Sequence, residues 1–110
     1  MELTQERLKE LLYYDPDTGI FTWLAKADPV KSRTVIGSIA GYFGSGGEKL
    51  IAFDGVAHRA DRLAFLYMTG KHVKYIKHIN CIPSNCQWSN MAETTKQEMR
   101  DRHMHKFRAY

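Results

Sequence analysis

The sequence predicts an α+β protein in which a small antiparallel sheet packs on a core helix and a hairpin followed by a helix ends the chain. Short runs of β-branched and aromatic residues are separated by turn residues. Residues 62–69 are apolar at helical spacing, and a glycine follows them. A length of 110 residues fits one domain. We expect residues 1–60 to hold an N-terminal helix and the sheet, and residues 61–110 to hold the core helix and the hairpin-helix unit.

A short helix begins the chain. Thr4 stands as its N-cap, and Leu3 and Leu8 are spaced as a hydrophobic staple across that cap. Residues 15–19 have the composition of a tight turn. We therefore expect the helix to end by residues 15–16.

Strands follow this turn. Residues 20–24 are β-branched and aromatic, and residues 34–40 predict a second strand. Residues 49–53 and 56–58 predict a hairpin around Asp54-Gly55, a strong two-residue turn signal. Together these segments predict the small antiparallel sheet.

The second half begins with the core helix. Asp61 is the expected N-cap of a helix over residues 62–69, and Gly70 is its left-handed stop. Residues 73–79 predict a strand, with residues 86–88 as its return strand. Asn90, with Glu93 three residues later, predicts the start of a last helix. On that helix four side chains would share one face: Met91, Thr95, Met99 and His103.

Composition argues against a membrane protein. No apolar run approaches the roughly 20 residues that span a bilayer. The first seven residues also do not resemble a secretory signal. We expect no membrane partner and a cytoplasmic location, in which Cys81 and Cys86 are thiols or metal ligands rather than a disulfide.

Charge is distributed unevenly along the chain. Residues 1–30 hold three basic and six acidic side chains, whereas residues 55–80 hold five basic side chains and one acid, Asp61. The positive face therefore belongs to the second half, which also holds all five histidines. A basic surface of this kind suits a phosphate backbone.

Four phrases of the sequence, taken in order, resemble a known family. They are residues 14–23 (YDPDTGIFTW), 62–71 (RLAFLYMTGK), 77–80 (KHIN) and 88–91 (WSNM). Together they are similar to the small HNH homing endonucleases of bacteriophages, over most of the chain from about residue 13. The resemblance implies a phage protein in the host cytoplasm. It also implies a C-terminal ββα-metal unit, in which a hairpin and a helix hold one Mg²⁺ or Mn²⁺ against the scissile phosphate of double-stranded DNA.

The resemblance assigns His78 as the general base that activates water. Other positions of the site differ from the family. Lys77 stands where a metal-binding aspartate is expected, Cys81 replaces a glycine, Cys86 replaces the asparagine that orients the base, and the helix ligand falls near Met99. A lysine ammonium and a methionine thioether do not suit Mg²⁺. The resemblance thus implies a degenerate nuclease with no metal at the family positions.

The expected function is that of a catalytically impaired HNH-like protein that binds DNA or inhibits a host or defence protein. The expected contact residues are basic: Arg59, Arg62, Lys71, Lys74, Lys77, Arg100 and Arg102. An ammonium such as that of Lys77 can contact a phosphate directly. On the core helix, Asp61 precedes Arg62 where family members usually have a histidine.

The sequence also allows two alternative functions for these residues. The first is an active nicking endonuclease that uses His78 as base with displaced ligands: Asn80, Asn85, Cys86 or His103. The second is a zinc site, because five residues offer imidazole and thiol ligands: His78, Cys81, Cys86, His103 and His105. The paired Cys-x2-Cys spacing typical of zinc sites is absent from the sequence.

Overall fold

Short helices and short strands alternate along residues 2–26, 28, 30 and 34–98, the part of the chain that the computed structural model describes. In chain order they are α1 (Gln5–Leu11), β1 (Leu12–Asp15), β2 (Ile20–Trp23), β3 (Tyr42–Phe43), β4 (Lys49–Phe53), β5 (Val56–Arg59), α2 (Ala60–Thr69), β6 (Ile76–His78), a 3₁₀ turn (Trp88–Asn90) and β7 (Met91–Glu93). The α+β class is confirmed. In this range no helix is long and apolar enough to cross a membrane.

The strands form three small antiparallel sheets among the described residues rather than one. β1 pairs with β2, β3 pairs with β4 and β4 with β5, and β6 pairs with β7. The predicted strand over residues 34–40 is wrong, because only Ile39 makes a bridge, to Thr22. A turn interrupts that segment at residues 36–37, where Gly37 has a φ of 90° and its N–H donates to the Trp23 carbonyl.

The N-terminal helix is confirmed, with Thr4 as its N-cap. The Thr4 hydroxyl accepts a hydrogen bond from the Arg7 N–H. The helix ends at Leu11, however, because the next four residues pair with β2 as strand β1. Sequence reasoning missed β1 because Leu8, Leu11 and Leu12 are all buried and their spacing also fits a helix.

The predicted β4–β5 hairpin is confirmed. Its turn places Asp54 at φ 52° and Gly55 at φ 78°, the left-handed values that a two-residue hairpin turn requires. β5 extends one residue further than predicted, to Arg59, and α2 follows at once. This direct junction places α2 against β4 and β5.

The core helix α2 is confirmed, but its start differs from the prediction. It begins at Ala60 with Arg59 as an N-cap that makes no side-chain capping bond. Asp61 therefore lies inside the first turn and is buried, instead of capping the helix from outside. Gly70 ends the helix as predicted, with a left-handed φ of 77°.

The core lies between the two α-helices and the first two sheets. Its fully buried side chains include Leu8 and Leu11 from α1, Phe21 from β2 and Ile51 from β4. Burying each such side chain contributes about 1.5–3 kcal/mol. The core therefore fixes α2, and with it the buried Asp61.

Two predictions about the C-terminal segment are wrong. The strand that pairs with β6 is Met91–Glu93 rather than residues 86–88, and His78 lies opposite Met91. The last helix does not begin at Asn90, because residues 88–90 form a 3₁₀ turn and helical geometry starts at residue 96. A capping box at Thr95 and Glu98 explains this later start. The Thr95 hydroxyl accepts from the Glu98 N–H, and the Glu98 carboxylate accepts from the Thr95 N–H. The predicted helix positions Met99 and His103 lie outside the described residues.

The turn between β1 and β2 packs against residues 86–88. The Trp88 N–H donates to the Pro16 carbonyl at 3.0 Å, and the Gln87 amide donates to the Asp17 carbonyl at 3.0 Å. The buried Tyr14 hydroxyl donates to the Cys86 carbonyl. The first and last of the four sequence phrases are therefore in direct contact.

Candidate functional site

His78 is the residue around which the site is built. It ends β6, it is 8% exposed, and alternation along the strand directs its side chain to the opposite face from Lys77. Its Nδ1 lies 2.9 Å from the Asn85 carbonyl oxygen, and its Nε2 lies 3.1 Å from Asp61 Oδ2. Both ring nitrogens are therefore within hydrogen-bond distance of oxygen atoms.

Asp61 supplies the charge that faces His78. This carboxylate is 3% exposed, and Arg59 binds it through two nitrogens, at 3.2 and 3.0 Å. It also accepts from the Arg62 N–H at 2.7 Å. Burial acts to raise the pKa of Asp61, but the hydrogen bonds from His78 and Arg59 outweigh it, and the net shift of the pKa is downward.

The partners of His78 determine what the ring can do. A carbonyl oxygen and an ionised carboxylate only accept hydrogen bonds, so the imidazole satisfies both by donating from both nitrogens. His78 and Asp61 thus form a buried pair at 3.1 Å, which is ionic when the imidazole is protonated. A general base needs an unprotonated nitrogen next to water. This arrangement instead positions the ring and holds it.

The 79–87 loop, which joins β6 to the 3₁₀ turn, is fixed by three asparagine side chains. Asn80 accepts from the Ile82 N–H at 3.0 Å, and Asn85 accepts from the Gln87 N–H at 3.1 Å. The buried Asn90 accepts from the Asn80 N–H at 2.9 Å and donates to the Asn85 carbonyl at 3.1 Å. His78 and Asn90 thus both contact the Asn85 carbonyl oxygen, and Asn90 also fixes the start of the loop through the Asn80 N–H.

The two cysteines differ in environment. Both are thiols rather than a disulfide; Cys81 is exposed and Cys86 is buried. Burial raises the pKa of Cys86 to about 12, which keeps its thiol protonated. Cys81 has a left-handed φ of 63°, at the position where the resemblance implies a glycine.

The described residues at the implied metal positions do not fit a hard divalent cation. Lys77 brings a positive charge to one of these positions, and the other, Met99, lies outside the described residues. Cys86, a possible displaced ligand, is a buried, protonated thiol that is not a ligand for Mg²⁺. Across the described residues, no three His, Cys, Asp or Glu side chains form a group that could hold a metal ion. The remaining members of the predicted ligand sets, His103 and His105, lie outside this range.

The predicted contact residues fall into three groups. Arg59 is bound to Asp61, so its guanidinium is engaged inside the site. Arg62, Lys71 and Lys74 are exposed, and Lys77 is half-buried on β6. Arg100 and Arg102 lie outside the described residues.

Lys71, Lys74 and Lys77 recur every third residue from the end of α2 into β6, while Val73 and Ile76 between them are buried. Lys74 Nζ lies over the Tyr75 ring at 5.6 Å from its centroid. Lys71 and Lys74 lie on the connection from α2 to β6, and Lys77 lies on β6. They are called the lysine ridge below.

Sequence reasoning missed the partner of His78. The sequence predicts Asp61 as a helix cap. Asp61 lies three residues before Ala64 and four before Phe65, however, and both of these are buried. Residues at that spacing share one face of a helix, so the pattern already indicated an inward-facing Asp61. No comparable signal pointed to Asn90, whose contacts depend on the path of the 79–87 loop.

Comparisons with known protein families, curated proteins and solved structures give no match to this chain. The similarity to HNH endonucleases therefore remains a prediction from the four sequence phrases.

Proposed function

We propose that this chain binds duplex DNA on a ββα scaffold related to the HNH endonucleases, and that it has lost all or nearly all nuclease activity. The observation that carries the proposal is the buried contact between Asp61 and His78 Nε2 at 3.1 Å. It occupies the position where the family resemblance expects a histidine ready to deprotonate water.

The order of elements around His78 supports the scaffold. β6 carries His78, the 79–87 loop follows, β7 pairs antiparallel with β6, and helical geometry begins at residue 96. Strand, loop, strand and helix in that order are the parts of a ββα unit.

The electrostatics of the site support the loss of cleavage. Asp61 and the Asn85 carbonyl occupy both ring nitrogens of His78, so activation of water would require the ring to give up one of these contacts. Because Arg59 and the Arg62 N–H still bind Asp61, and Asn90 still donates to the Asn85 carbonyl, the cost is that of one buried hydrogen bond, about 0.5–1.5 kcal/mol. Lys77 adds a positive charge on the same strand, where the family resemblance expects a metal ligand. These features favour a site that holds the fold together over one that performs hydrolysis.

The lysine ridge and Arg62 support DNA as the ligand. Lys71, Lys74 and Arg62 are exposed, and within the described residues no salt bridge occupies these three or Lys77. Exposed ammonium and guanidinium groups suit phosphate oxygens. Half of the 12 acidic residues of the chain lie in its first 30 positions, away from this sequence segment.

A gel-shift titration tests this proposal. The variant Lys74→Gln/Lys77→Gln removes two charges from the ridge, and Lys9→Gln/Lys26→Gln removes two from the N-terminal part as a matched control. We expect the ridge variant to weaken binding and to reduce the slope of log affinity against log salt by about 1.8, while the control changes neither. Equal effects of the two variants, or an affinity that does not depend on salt, would contradict DNA binding through the ridge. A wild-type protein that does not shift DNA would point to a host or defence protein as the partner.

A further inference from the structure

The 79–87 loop presents apolar side chains to solvent. Ile79 is 61% exposed and Ile82 is 50% exposed, and Cys81 between them is also exposed. Nothing in the packing of the described residues covers these two isoleucines. Exposed branched side chains gathered on one loop indicate a contact surface rather than a part of the core.

The backbone that carries the two isoleucines is held in place. The Ile79 N–H donates to the Asn90 carbonyl at 2.7 Å, and the Ile82 N–H donates to the Asn80 side chain at 3.0 Å. The Ile82 carbonyl accepts from the Asn85 N–H at 3.1 Å. The His78–Asp61 pair fixes the start of the same loop. A side chain on such a loop loses little conformational entropy when it binds.

Positive charge surrounds this loop. Lys77 is two residues before Ile79 and belongs to the lysine ridge. Arg62 is next to Asp61, and Asp61 contacts His78 at the start of the loop. Lys49 and Arg59 are close enough to Cys86 to lower the pKa of its thiol, although burial raises that pKa more strongly. Three acids lie in the same neighbourhood. Asp61 contacts His78 and pairs with Arg59, Glu48 acts on Arg59, and the pKa of Glu98 is lowered by hydrogen bonds from Thr94 and Thr95 and by Lys77. Four basic side chains therefore face three acids, an excess of one positive charge around the apolar loop.

We propose that Ile79 and Ile82 form a wedge that inserts between stacked base pairs of duplex DNA while the lysine ridge holds the phosphates. This inference rests on the proposed DNA binding. Compact apolar side chains on a rigid support, flanked by cations, suit a site that must unstack a base step and hold the backbone at the same time. Insertion of this kind unwinds and bends the duplex and requires no particular base sequence.

Plasmid topology tests the wedge without knowledge of a target sequence. Nicked plasmid is saturated with the protein, sealed with DNA ligase, stripped of protein and resolved on a chloroquine gel. We expect the wild type to lower the linking number as more protein is bound. The variant Ile79→Ser/Ile82→Ser should leave the linking number unchanged and weaken binding by about tenfold, with the same salt slope as the wild type because no phosphate contact is lost.

The control is Val35→Ser/Ile39→Ser, because these side chains are also well exposed, Ile39 at 62%. It should behave as the wild type. Wild-type binding without a change in linking number, or a full change with the Ile79→Ser/Ile82→Ser variant, would overturn the wedge and leave DNA binding by the ridge intact. A wild type that does not bind plasmid would overturn both proposals and would assign the apolar loop to a protein partner.

Discussion

At the scale of single residues, Asp61 decides the character of the site. Its carboxylate is buried among Arg59, His78 and the Arg62 N–H, so one acid is the shared hydrogen-bond partner of two basic side chains and one backbone group. Charges removed from water to this extent depend on their partners. We therefore expect the loss of any one of these side chains to destabilise the protein.

Substitution of Asp61 should destabilise the protein strongly. Asp61→Asn keeps the shape of the side chain and removes its charge, which leaves the buried His78 and the partly exposed Arg59 without their shared carboxylate. We expect a loss of about 3 kcal/mol in the free energy of unfolding, measured with urea at pH 7. The control is Asp54→Asn, which breaks the exposed pair with Arg7 and should cost less than about 1 kcal/mol. Similar losses in the two variants would contradict a buried, coupled Asp61.

The contribution of Asp61 should also depend on pH in a defined direction. Its pKa in the folded protein is below the ordinary value of 3.8, so the folded state binds the proton less readily than the unfolded state. The stabilisation is therefore fully present above the unfolded-state pKa and is lost as the pH falls through the lower folded-state pKa. We expect the difference in unfolding free energy between wild type and Asp61→Asn to have its full value at pH 5 and to shrink below pH 4. An equal difference at pH 7 and pH 2.5 would show that the charge of Asp61 is not the cause.

Gly19 should tolerate no side chain. Its φ is 75°, and an added Cβ would lie 2.4 Å from the Cys86 carbonyl carbon and 2.4 Å from the Gln87 nitrogen. Gly55 has nearly the same φ, 78°, with nothing within 4 Å of its Cβ position. We expect Gly55→Ala to cost about 1 kcal/mol and Gly19→Ala at least about 3 kcal/mol, measured by thermal or urea unfolding. Equal costs would mean that the β1–β2 turn does not pack on residues 86–87.

At the scale of elements, the segments that were predicted well are the ones with local signals. Thr4 at α1, Asp54-Gly55 in the hairpin and Gly70 after α2 each act within a few residues, so the sequence alone indicates them. The sequence did not predict β1 or β7, because a strand forms only where a second strand hydrogen-bonds to it, and that partner is not visible in the local sequence. Residues 91–93 resemble the first turn of a helix until β6 lies beside them.

The 79–87 loop makes a prediction about thiol chemistry. Cys86 is buried with its pKa raised to about 12, whereas Cys81 is exposed on the same loop. At pH 8 the thiolate fraction of Cys86 is about 10³-fold below that of an ordinary cysteine, and its rate of reaction with Ellman's reagent should be lower by at least this factor. We expect one fast-reacting thiol in the native protein, none in Cys81→Ser, and two in the unfolded wild type. Fast reaction of native Cys81→Ser would show that Cys86 is accessible and that the loop is open.

At the scale of the whole molecule, two segments that are far apart in the sequence, residues 14–17 and 86–88, depend on each other. The turn after β1 hydrogen-bonds to residues 87 and 88, and Tyr14 hydrogen-bonds to the Cys86 carbonyl. His78 is held at one side by α2 and at the other by the 79–87 loop. Sequence reasoning located His78 and the basic residues, because their types and order are visible in the chain. It did not locate the Asp61–His78 pair, since that contact joins positions 17 residues apart and requires the packing of α2 against β6.

For the whole molecule, we propose that the protein binds DNA without cutting it, because Asp61 and the Asn85 carbonyl hold both ring nitrogens of His78. The most direct test is to incubate supercoiled plasmid with enough protein to shift all of it in a gel, in Mg²⁺ or Mn²⁺ and in EDTA. We expect the same shift in both conditions and no more nicked plasmid with metal than with EDTA. Nicking that requires the metal and disappears in His78→Ala would contradict the claim and would make His78 a general base.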